Sequence, residues 1–356
     1  MRKKCFCVLF GLMAAVSLQA QLRNEEVYEV TEMNRSAVRT EVRIPGFDGW
    51  QTLKCDFHTH TVFSDGQVWP DIRVGEAWRQ GLDAVAITDH IEYRPNKEVV
   101  LGDLNQSYIL AKKRGDAIGF IVIKGMEITR SKPLGHLNAL FLDDSLPLDV
   151  EDPLKAIDAA IAQGAFVMWN HPGWPDDRST LYPVHEQLIR EKKIHGLEVF
   201  NSMEYYPVCF NWARDMNLSF MANSDIHGLI NDDYGTGMRP MTLVFAREKS
   251  AEAIKEALFA GRTAACFNHE LAGLAEYLRP LVKASLQVRK IHEGAYEVMN
   301  VSDINYRMTA GGQLFIVPAG KTIAFRQPQA DALVIENCHV GSAERLTLSM
   351  DEFLNR

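Results

Sequence analysis

Short apolar runs alternate with segments of helical periodicity over residues 50–270 of the chain. The apolar runs are typical of buried strands and lie at residues 53–57, 84–88, 120–123, 136–142, 165–169, 197–200, 220–222 and 241–245. Helices are predicted between them at residues 71–80, 103–118, 153–163, 184–193 and 250–260. Strands that alternate with helices indicate βα units, so this part of the chain is predicted to be an α/β domain built on a parallel sheet or barrel.

The pattern changes near residue 275, where short strand-like runs follow one another without helical segments between them. These runs lie at residues 286–289, 296–301, 306–309, 314–317 and 332–335. Glycine and proline separate several of them, as at residues 311–312 and 318–320. Residues 275–356 are therefore predicted to form a small all-β, sandwich-like domain.

Residues 1–20 have the features of a secretory signal peptide. Arg2, Lys3 and Lys4 precede an apolar stretch at 5–16, and the segment ends on the small residue Ala20. We expect export to the periplasm or to the outside of the cell, with residues 21–49 as a polar lead-in. An uncleaved amphipathic start is the alternative. No apolar stretch reaches the roughly 20 residues that span a bilayer, so no membrane anchor is expected.

Composition and charge narrow the range of partners. Charged residues make up 24% of the chain and apolar residues 47%, which excludes disordered, collagen-like and coiled-coil proteins. The net charge of −8 argues against duplex nucleic acid as a partner, but a small anionic substrate stays possible because a metal ion can supply positive charge.

Four cysteines follow the predicted signal peptide, and separate buried thiols are favoured over the three possible full pairings. The oligomeric state is left open.

The informative feature is a set of histidine and acidic residues that recurs along the strand pattern. The set comprises His58, His60, Asp65, His90, Glu127, His136, His171, Asp225 and His227. All but His60 and His136 lie at or just past the carboxyl end of a predicted strand, and in a βα barrel those ends converge on one face. Imidazole together with carboxylate suits Zn, Mn or Fe. Because the set exceeds what one ion can use, two or three divalent ions are predicted.

Clustered divalent ions are typical of hydrolases. They generate hydroxide at neutral pH and clamp the oxygens of a displacement at phosphorus. Five further histidines lie outside the pattern and are interpreted as surface or packing residues; they are His185, His195, His269, His292 and His339.

The motifs together resemble the PHP (polymerase and histidinol phosphatase) family. They are DFHTH at 56–60, SDG at 64–66, TDH at 88–90, GME at 125–127, His136, NHP at 170–172 and SDIH at 224–227. The signal segment, further short motifs around the ligands and the C-terminal tail look like the Sb-PDE type of PHP phosphodiesterase. The resemblance implies a distorted seven-stranded βα barrel with a trinuclear metal site.

The resemblance also implies how the ligands divide among three ions. The first ion would be held by His58, His60, Glu127 and Asp225, the second by Glu127, His136 and His171, and the third by Asp65, His90 and His227. Asp65 stands where some members of the family have histidine, which bears on the third ion. Glu198 and Asp56 are expected to support the ligands rather than to bind metal.

The function that we expect is an exported metal-dependent phosphoesterase, with a phosphodiesterase favoured. A hydroxide bridging two ions would attack phosphorus, and the third ion, His90 or His227 would assist the leaving group. Arg130 and Arg239 are candidate phosphate-binding residues, since a guanidinium binds phosphate with two hydrogen bonds. A structural ion pair is the alternative for both. The aromatic residues Tyr93 and Trp174 follow ligand segments and are candidates for the wall of the pocket.

Three other functions stay open. The first is a phosphomonoesterase that scavenges phosphate. The second is an amidohydrolase-like enzyme acting on C–N bonds, which would use a metal-bridging lysine; Lys124 is the nearby candidate, but it lies inside a predicted strand. The third is a non-catalytic binding protein on a vestigial metal barrel.

Overall fold

The computed structural model describes residues 38–175, 178–235 and 237–354. The predicted signal peptide, and all of the predicted lead-in up to residue 37, lie outside the described residues. The boundary predicted between residues 270 and 275 also stays a prediction.

The first half of the described chain alternates strands and helices. In chain order the elements are β1 (Gln51–Asp56), α1 (Pro70–Arg79), β2 (Ala84–Ile87), α2 (Gln106–Ile118), β3 (Ile121–Thr129), β4 (His136–Leu140), α3 (Pro153–Ala162), β5 (Phe166–Trp169), α4 (Pro183–Arg190), β6 (Gly196–Asn201) and β7 (Glu204–Tyr205). A short 3₁₀ helix, Leu146–Leu148, precedes α3. β7 and the 3₁₀ helix were not predicted. The other bounds agree with the predicted elements to within a few residues, except that β3 continues further and carries Glu127 inside it.

The second half becomes richer in strands. Its elements are α5 (Pro207–Asp215), β8 (Ser219–Asn223), α6 (Ile230–Tyr234), β9 (Met241–Ala246), α7 (Ala251–Phe259), β10 (Thr263–Phe267), β11 (Glu270–Gly273), α8 (Ala275–Ser285), β12 (Leu286–His292), β13 (Ala295–Asn300), β14 (Tyr306–Ala310), β15 (Gln313–Val317), β16 (Thr322–Arg326), β17 (Ala332–His339), β18 (Arg345–Ser349) and α9 (Met350–Leu354).

Local chemistry explains where several of these helices begin. The Asp152 side chain accepts a hydrogen bond from Leu154 N at the start of α3, and Pro153 occupies the first helical position. The Ser250 side chain accepts from Ala253 N at the start of α7. Both interactions satisfy amide groups that have no partner inside a helix. Gly119 ends α2 at φ 64°, a left-handed conformation that glycine adopts without a side-chain clash.

One large mixed sheet carries the site. Its central strands run in the order β9-β1-β2-β3-β4-β5-β6, and β8 pairs with β6. The pairs β1–β2, β2–β3, β5–β6 and β6–β8 are parallel, whereas β9–β1, β3–β4 and β4–β5 are antiparallel. The expected purely parallel sheet is therefore wrong in part. Only a short connection separates β3 from β4, and a parallel crossover needs a dozen or more residues.

The two ends of this strand path, β8 and β9, meet through a side chain. Ala222 N donates to Thr242 Oγ1 at 3.0 Å, and Thr242 Oγ1 donates to Ala222 O at 2.9 Å. The segments after β1 and β8 also meet, at Thr59 and Ile226, and the segment after β2 meets the middle of β3, at His90 and Glu127. The predicted ligands are found around these two contacts.

The C-terminal region differs from the all-β prediction because two helices flank its strands. α8 and α9 were not predicted, and neither were β16 and β18. β12, β13 and β16 form a separate three-stranded sheet, while β14, β15, β17 and β18 extend the large sheet through a parallel pairing of β11 with β17. Side chains of both sheets share one apolar cluster, which includes Val298, Met308, Phe325 and Leu346. This arrangement is sandwich-like.

Two further expectations concern the cysteines and the membrane. Cys55, Cys209, Cys266 and Cys338 are buried free thiols, as the favoured interpretation held. Among the residues that the structure describes, no helix has both the length and the apolar character needed to cross a bilayer.

Candidate metal centre

The loop after β1 carries the two histidines at the centre of the site. His58 and His60 are fully buried, and their Nε2 atoms point at the same two carboxylates. His58 Nε2 lies 3.4 Å from Glu127 Oε2 and 3.2 Å from Asp225 Oδ1, and His60 Nε2 lies 3.4 Å and 3.1 Å from the same atoms. Alternation along an extended segment places residues two apart on the same side, which explains this convergence.

The two carboxylates come from opposite parts of the sheet. Glu127 projects from β3 and is completely buried, and Asp225 follows β8 with its backbone at φ 52°. A positive φ is uncommon for a residue other than glycine, and such positions concentrate at functional sites. Asp225 N donates to His58 O at 2.9 Å, so the loop after β8 is tied directly to the loop after β1.

Asp65 lies within 4 Å of a second group of histidine rings. Its Oδ1 atom lies 3.4 Å from His90 Nε2, 3.2 Å from His227 Nε2 and 3.9 Å from His60 Nδ1. Asp65 sits in a tight turn in which Gly66 N donates to Thr61 O at 2.9 Å. A Cβ at Gly66 would lie 2.6 Å from Thr61 N, so only glycine fits the turn that presents Asp65.

The remaining two predicted ligands lie beside Glu127. His136 Nδ1 is 2.9 Å from Glu127 Oε1, and His171 Nε2 is 3.7 Å from the same oxygen. Asn170 Nδ2 donates to this oxygen at 3.0 Å, which fixes the carboxylate. The structure thus brings all nine predicted ligands into one cluster.

Within this cluster, three groups of ligand atoms are close enough to share an ion. The groups are His60, Asp65, His90 and His227; His58, Glu127 and His171; and His58, His60 and Asp225. They overlap the three sets implied by the resemblance. Three differences stand out: His136 joins none of these groups, His60 also belongs to the group of Asp65, and Glu127 is not grouped with His60 and Asp225.

Unpaired buried atoms at the centre test whether a cation fits. Five buried atoms of these residues make no hydrogen bond of good geometry; they are His58 Nε2, His60 Nε2, Asp65 Oδ1, Glu127 Oε2 and His171 Nδ1. The first four lie 2.8–3.4 Å from opposing imidazole nitrogens or carboxylate oxygens of the cluster. A buried polar atom without a good partner costs about 1–3 kcal/mol, and one shared cation would satisfy these four atoms together. Imidazole nitrogen and carboxylate oxygen are the donors that bind Zn, Mn and Fe, and the residues present therefore fit divalent metal ions.

The electrostatics point the same way. Burial alone would raise the pKa of Glu127, but His58, His90 and His136 hold it well below its usual value. Burial alone would lower the pKa of His90, but Glu127 and Asp65 raise it to about 10. Burial lowers the pKa of His60 to about 4. In the protein alone, protons on histidines balance the carboxylates, and a bound cation would take over that role with release of protons.

Glu198, from β6, holds two of the ligands in place. Its Oε1 lies 3.0 Å from His58 Nδ1, and its Oε2 accepts from His171 N at 2.7 Å. Asn201 and Asn223 donate to the same carboxylate at 2.8 Å and 2.9 Å. Glu198 therefore orients His58 so that Nε2 faces the cluster, which is the supporting position expected for it. Asp56 contacts the backbone amide of His58 at 3.2 Å, not its ring, and accepts from Ser224 N, beside Asp225, at 3.2 Å.

Arg73 supports the site and was missed by the sequence analysis. This buried guanidinium, from α1, donates to His60 O at 3.0 Å and 3.1 Å, and to Ile226 O and His227 O at 3.2 Å. Glu76 balances its charge at 2.8 Å. Arg73 thus ties the two ligand loops together. The helical periodicity places Arg73 on α1 but does not reveal that α1 turns it towards these carbonyl groups.

The two arginines predicted to bind phosphate are engaged elsewhere. Arg239 is buried, forms an ion pair with Asp56 and donates to Ser224 Oγ at 2.9 Å. Arg130 pairs with Glu92 and donates to Val150 O at 2.8 Å. Neither lines the cleft described next. These positions favour the alternative that the sequence left open, a structural ion pair for each.

A cleft of about 650 Å³ opens above the cluster. Seven of the nine candidate ligands line it, whereas His58 and His60 do not. Its rim is formed by Tyr93, Trp174, Met203, Glu204 and Tyr206. The volume falls in the range of small-molecule sites. Tyr93 and Trp174 thus lie at the wall where the sequence analysis expected them.

A crystal structure from Bacteroides vulgatus resembles this chain over nearly its whole length. It is a two-domain protein containing a predicted PHP-like metal-dependent phosphoesterase, 37% identical, with a TM-score of 0.85. The match covers 88% of this chain and 99% of that one.

More distant relatives add less. An uncharacterized protein of Methanocaldococcus jannaschii is 28% identical over 197 residues, which cover 51% of this chain and 86% of that protein. A lesion-specific endonuclease of Pyrococcus furiosus is 17% identical, covering 63% of this chain and 59% of that one, with a TM-score of 0.42, too weak a likeness to bear on substrate. No family model matches the sequence.

Proposed function

The chain belongs to the PHP-like metal-dependent phosphoesterases, and on this premise we propose that it is a phosphodiesterase that uses two or three divalent ions. The observation that carries the proposal is the set of buried, unpaired ligand atoms beneath the cleft. A cluster of imidazole and carboxylate groups open to a small-molecule cleft is what metal-assisted hydrolysis requires. We also infer that the strands from β9 to β8 form the wall of a distorted barrel around this cluster.

We assign the ions to the three sets of ligands that the family resemblance implies. His58, His60, Glu127 and Asp225 would hold the first ion, and Glu127 with His171 and His136 the second. Asp65, His90 and His227 would hold a third. Bound divalent ions supply a hydroxide nucleophile at neutral pH and neutralise charge on the phosphoryl oxygens.

The protein's own residues fix the geometry of the site. Glu198 and Asn170 hold His58 and Glu127 in single orientations, and Arg73 holds the two ligand loops together. Preorganised groups of this kind lower the reorganisation needed as charge develops at the reacting centre.

His90 and His227 are placed to assist the leaving group. Both line the cleft, and the His227 side chain is the more exposed of the two, at 36% against 8%. Asp65 orients both rings through Oδ1. Without a third ion, a histidine in this position can pass a proton to the oxygen that departs, whereas a third ion held there would neutralise that oxygen itself.

The charge of the cleft favours a diester over a monoester. No lysine or arginine is found among the described residues that line it. A phosphate monoester carries close to two negative charges near neutral pH, whereas a diester carries one. Apart from its histidines, the cleft therefore offers only the metal ions as counter-charge, which suits the singly charged diester better.

The described lining of the cleft does not contain the lysine that hydrolysis of C–N bonds would be expected to use. Lys124 Nζ donates to Asn105 Oδ1 at 3.1 Å and to Asp143 O at 2.6 Å, and it does not line the cleft. The lysine that the sequence analysis considered for this chemistry is thus committed to a loop contact.

We further propose that the protein is exported, on the strength of the basic and apolar pattern of residues 1–20. Fractionation of cells that produce the full chain tests this. A shortened protein in the periplasm or medium is expected, and an uncleaved chain in the cytoplasm would contradict it.

Kinetics on paired substrates test the proposed function. The metal-loaded protein is expected to hydrolyse bis(p-nitrophenyl) phosphate with a higher kcat/KM than p-nitrophenyl phosphate, and to lose both activities on chelation. A preference for the monoester would favour phosphate scavenging. Bound metal without hydrolysis of either ester would contradict phosphoester hydrolysis and favour a binding role.

A further inference from the structure

The rim of the cleft exposes aromatic surface directly beside the ligand cluster. The Trp174 ring packs edge-on against His136 and His171, with centroid distances of 4.6 Å and 5.5 Å. The Tyr93 ring packs against His90 at 6.1 Å. Trp174 is nevertheless 53% exposed and Tyr93 54% exposed. Large aromatic surface is thus left to water at the points where a substrate bound to the cluster would extend outwards.

The same rim continues as an apolar surface. Met203 is 59% exposed, and it lies next to Glu204 and Tyr206 along the edge of the cleft. Tyr206 is buried, and its hydroxyl donates to Glu204 Oε2 at 2.9 Å. An exposed apolar patch at the mouth of a polar site is typical of a surface that binds an apolar part of a ligand.

The charges around the cleft disfavour an extended anion. As noted, the described lining contains no lysine or arginine, and Glu204 adds a carboxylate to the rim. Arg94 and Lys97 lie nearby, but they line a separate and much smaller pocket on the Phe63 side of His90. A chain of phosphates would therefore find one favourable position at the cluster and repulsion at the rim.

We propose that the substrate carries a single phosphate at the cluster and a flat, uncharged aromatic substituent that packs against Trp174 and Tyr93. This inference rests on the proposed phosphoesterase function and names the substrate class for that same site. Trp174 and Tyr93 then act as specificity-determining residues, because an aromatic substituent buries apolar area on them that a small alkyl group cannot reach.

Two diesters with the same leaving group test the proposal. Bis(p-nitrophenyl) phosphate and methyl p-nitrophenyl phosphate both release p-nitrophenol, but only the first retains a second aryl group. We expect kcat/KM to be at least about tenfold higher for the diaryl ester in the wild-type, metal-loaded protein. In Trp174→Ala the ratio should fall to about two- to threefold, mainly through a higher KM for the diaryl ester. Tyr93→Ala should act in the same direction.

Matched variants separate aryl recognition from general damage. Trp174→Phe keeps an aromatic ring and should restore most of the preference. Tyr205→Ala removes a tyrosine that is 59% exposed but lies outside the cleft lining, and it should change neither ester. Arg94→Ala should likewise leave both kinetic constants unchanged.

A binding measurement gives a readout that does not depend on turnover. By calorimetry, phenylphosphonate should bind the metal-loaded wild type about tenfold more tightly than methylphosphonate, and Trp174→Ala should remove most of this difference. Equal binding of the two phosphonates would overturn the proposal.

The possible outcomes distinguish failure of the aryl recognition from failure of the proposed phosphodiesterase function. Hydrolysis of both diesters without an aryl preference would overturn the inference and leave the phosphodiesterase intact. Faster cleavage of a short oligonucleotide than of either diester, with loss of that activity in Arg94→Ala, would also overturn it. Failure to hydrolyse any phosphoester would overturn the proposed function, and the inference would fall with it.

Discussion

Two buried polar clusters lie side by side in this protein and differ in one respect. Around Arg73 each side-chain nitrogen has a hydrogen-bond partner, since the guanidinium meets three carbonyl oxygens and Glu76. Around Glu127 and Asp225 several buried nitrogen and oxygen atoms have no hydrogen-bond partner. A complete network is what structural stability requires, whereas an incomplete one in the same interior marks a place for a ligand.

The connection between the clusters is as informative as the contrast. Arg73 donates to the carbonyl oxygens of His60 and His227, whose side chains belong to the second cluster. The hydrogen-bonded cluster around Arg73 thus fixes the backbone of the loops whose side chains form the cluster around Glu127 and Asp225. We expect changes in the first to act on stability and changes in the second to act on metal binding and turnover.

The largest effect is expected for His58→Ala. Loss of this ring removes a candidate ligand from two of the three groups, and kcat/KM for bis(p-nitrophenyl) phosphate should fall at least about 1000-fold. The far-ultraviolet circular dichroism should stay unchanged. His292→Ala, at an exposed position in β12, is the control and should retain full activity. A His58→Ala variant with wild-type kinetics would contradict the functional difference between the two clusters, because the unpaired atoms would then have no role in turnover.

Arg73→Met should cause the largest loss of stability. It leaves Glu76 as an uncompensated buried charge and removes donors from three carbonyl groups, so the free energy of unfolding should drop by about 3–5 kcal/mol. Urea titration measures this. Arg79→Met, on the exposed face of the same helix, should change it by less than about 0.5 kcal/mol. Equal effects of the two variants would show that the saturated network does not stabilise the loops.

The fold was largely predictable where burial alone decides the pattern. The continuous apolar runs at 84–88 and 165–169 are fully buried strands of the central sheet. The expectation failed where geometry depends on partners distant in sequence. Pro280 lies inside α8 and removes a helical hydrogen-bond donor, which hid this helix from the periodicity. β16 and β18 are five residues long, and only pairing with β13 and β17 defines them.

The candidate site was predictable in residue type but not in every role. His58 and Asp225 follow strand ends, as the sequence analysis expected, whereas Glu127 reaches the same cluster from inside β3. Arg239 shows the limit. A guanidinium binds carboxylate and phosphate with the same geometry, and only the fold reveals that Asp56 is its partner. Arg73 was missed for a related reason, since carbonyl groups carry no sequence signature.

A smaller effect on metal binding is expected for Glu198→Gln. The carboxylate accepts four hydrogen bonds, and an amide would place a donor against donors from His58 or His171. Metal affinity, measured by titration calorimetry, should fall about 10- to 100-fold. Glu186→Gln, at an exposed position on α4, serves as the control and should leave the affinity unchanged. Unaltered metal affinity in Glu198→Gln would show that the hydrogen bonds to Glu198 do not contribute to metal binding.

The smallest effect on stability is expected for the ion pairs that Asp83 forms with Lys54 and Lys249. Burial would raise the pKa of Asp83, but Lys54 and Lys249 lower it below its usual value. A depressed pKa means that the pair stabilises the fold above the unfolded-state pKa of about 3.9 and loses that contribution as pH falls through the folded value. Asp83→Asn should cost about 1 kcal/mol at pH 7, and the cost should shrink as pH falls below about 3.9 and through the folded-state pKa. A difference independent of pH would contradict the ionic contribution.

Metal analysis of the purified protein, with diester hydrolysis assayed on the same sample, tests the central claim most directly. The account predicts two or three divalent ions per chain and turnover of bis(p-nitrophenyl) phosphate that disappears on chelation and returns on reloading. A protein that binds no divalent ion even after reconstitution would contradict it, because the unpaired atoms around Glu127 and Asp225 would then need another explanation.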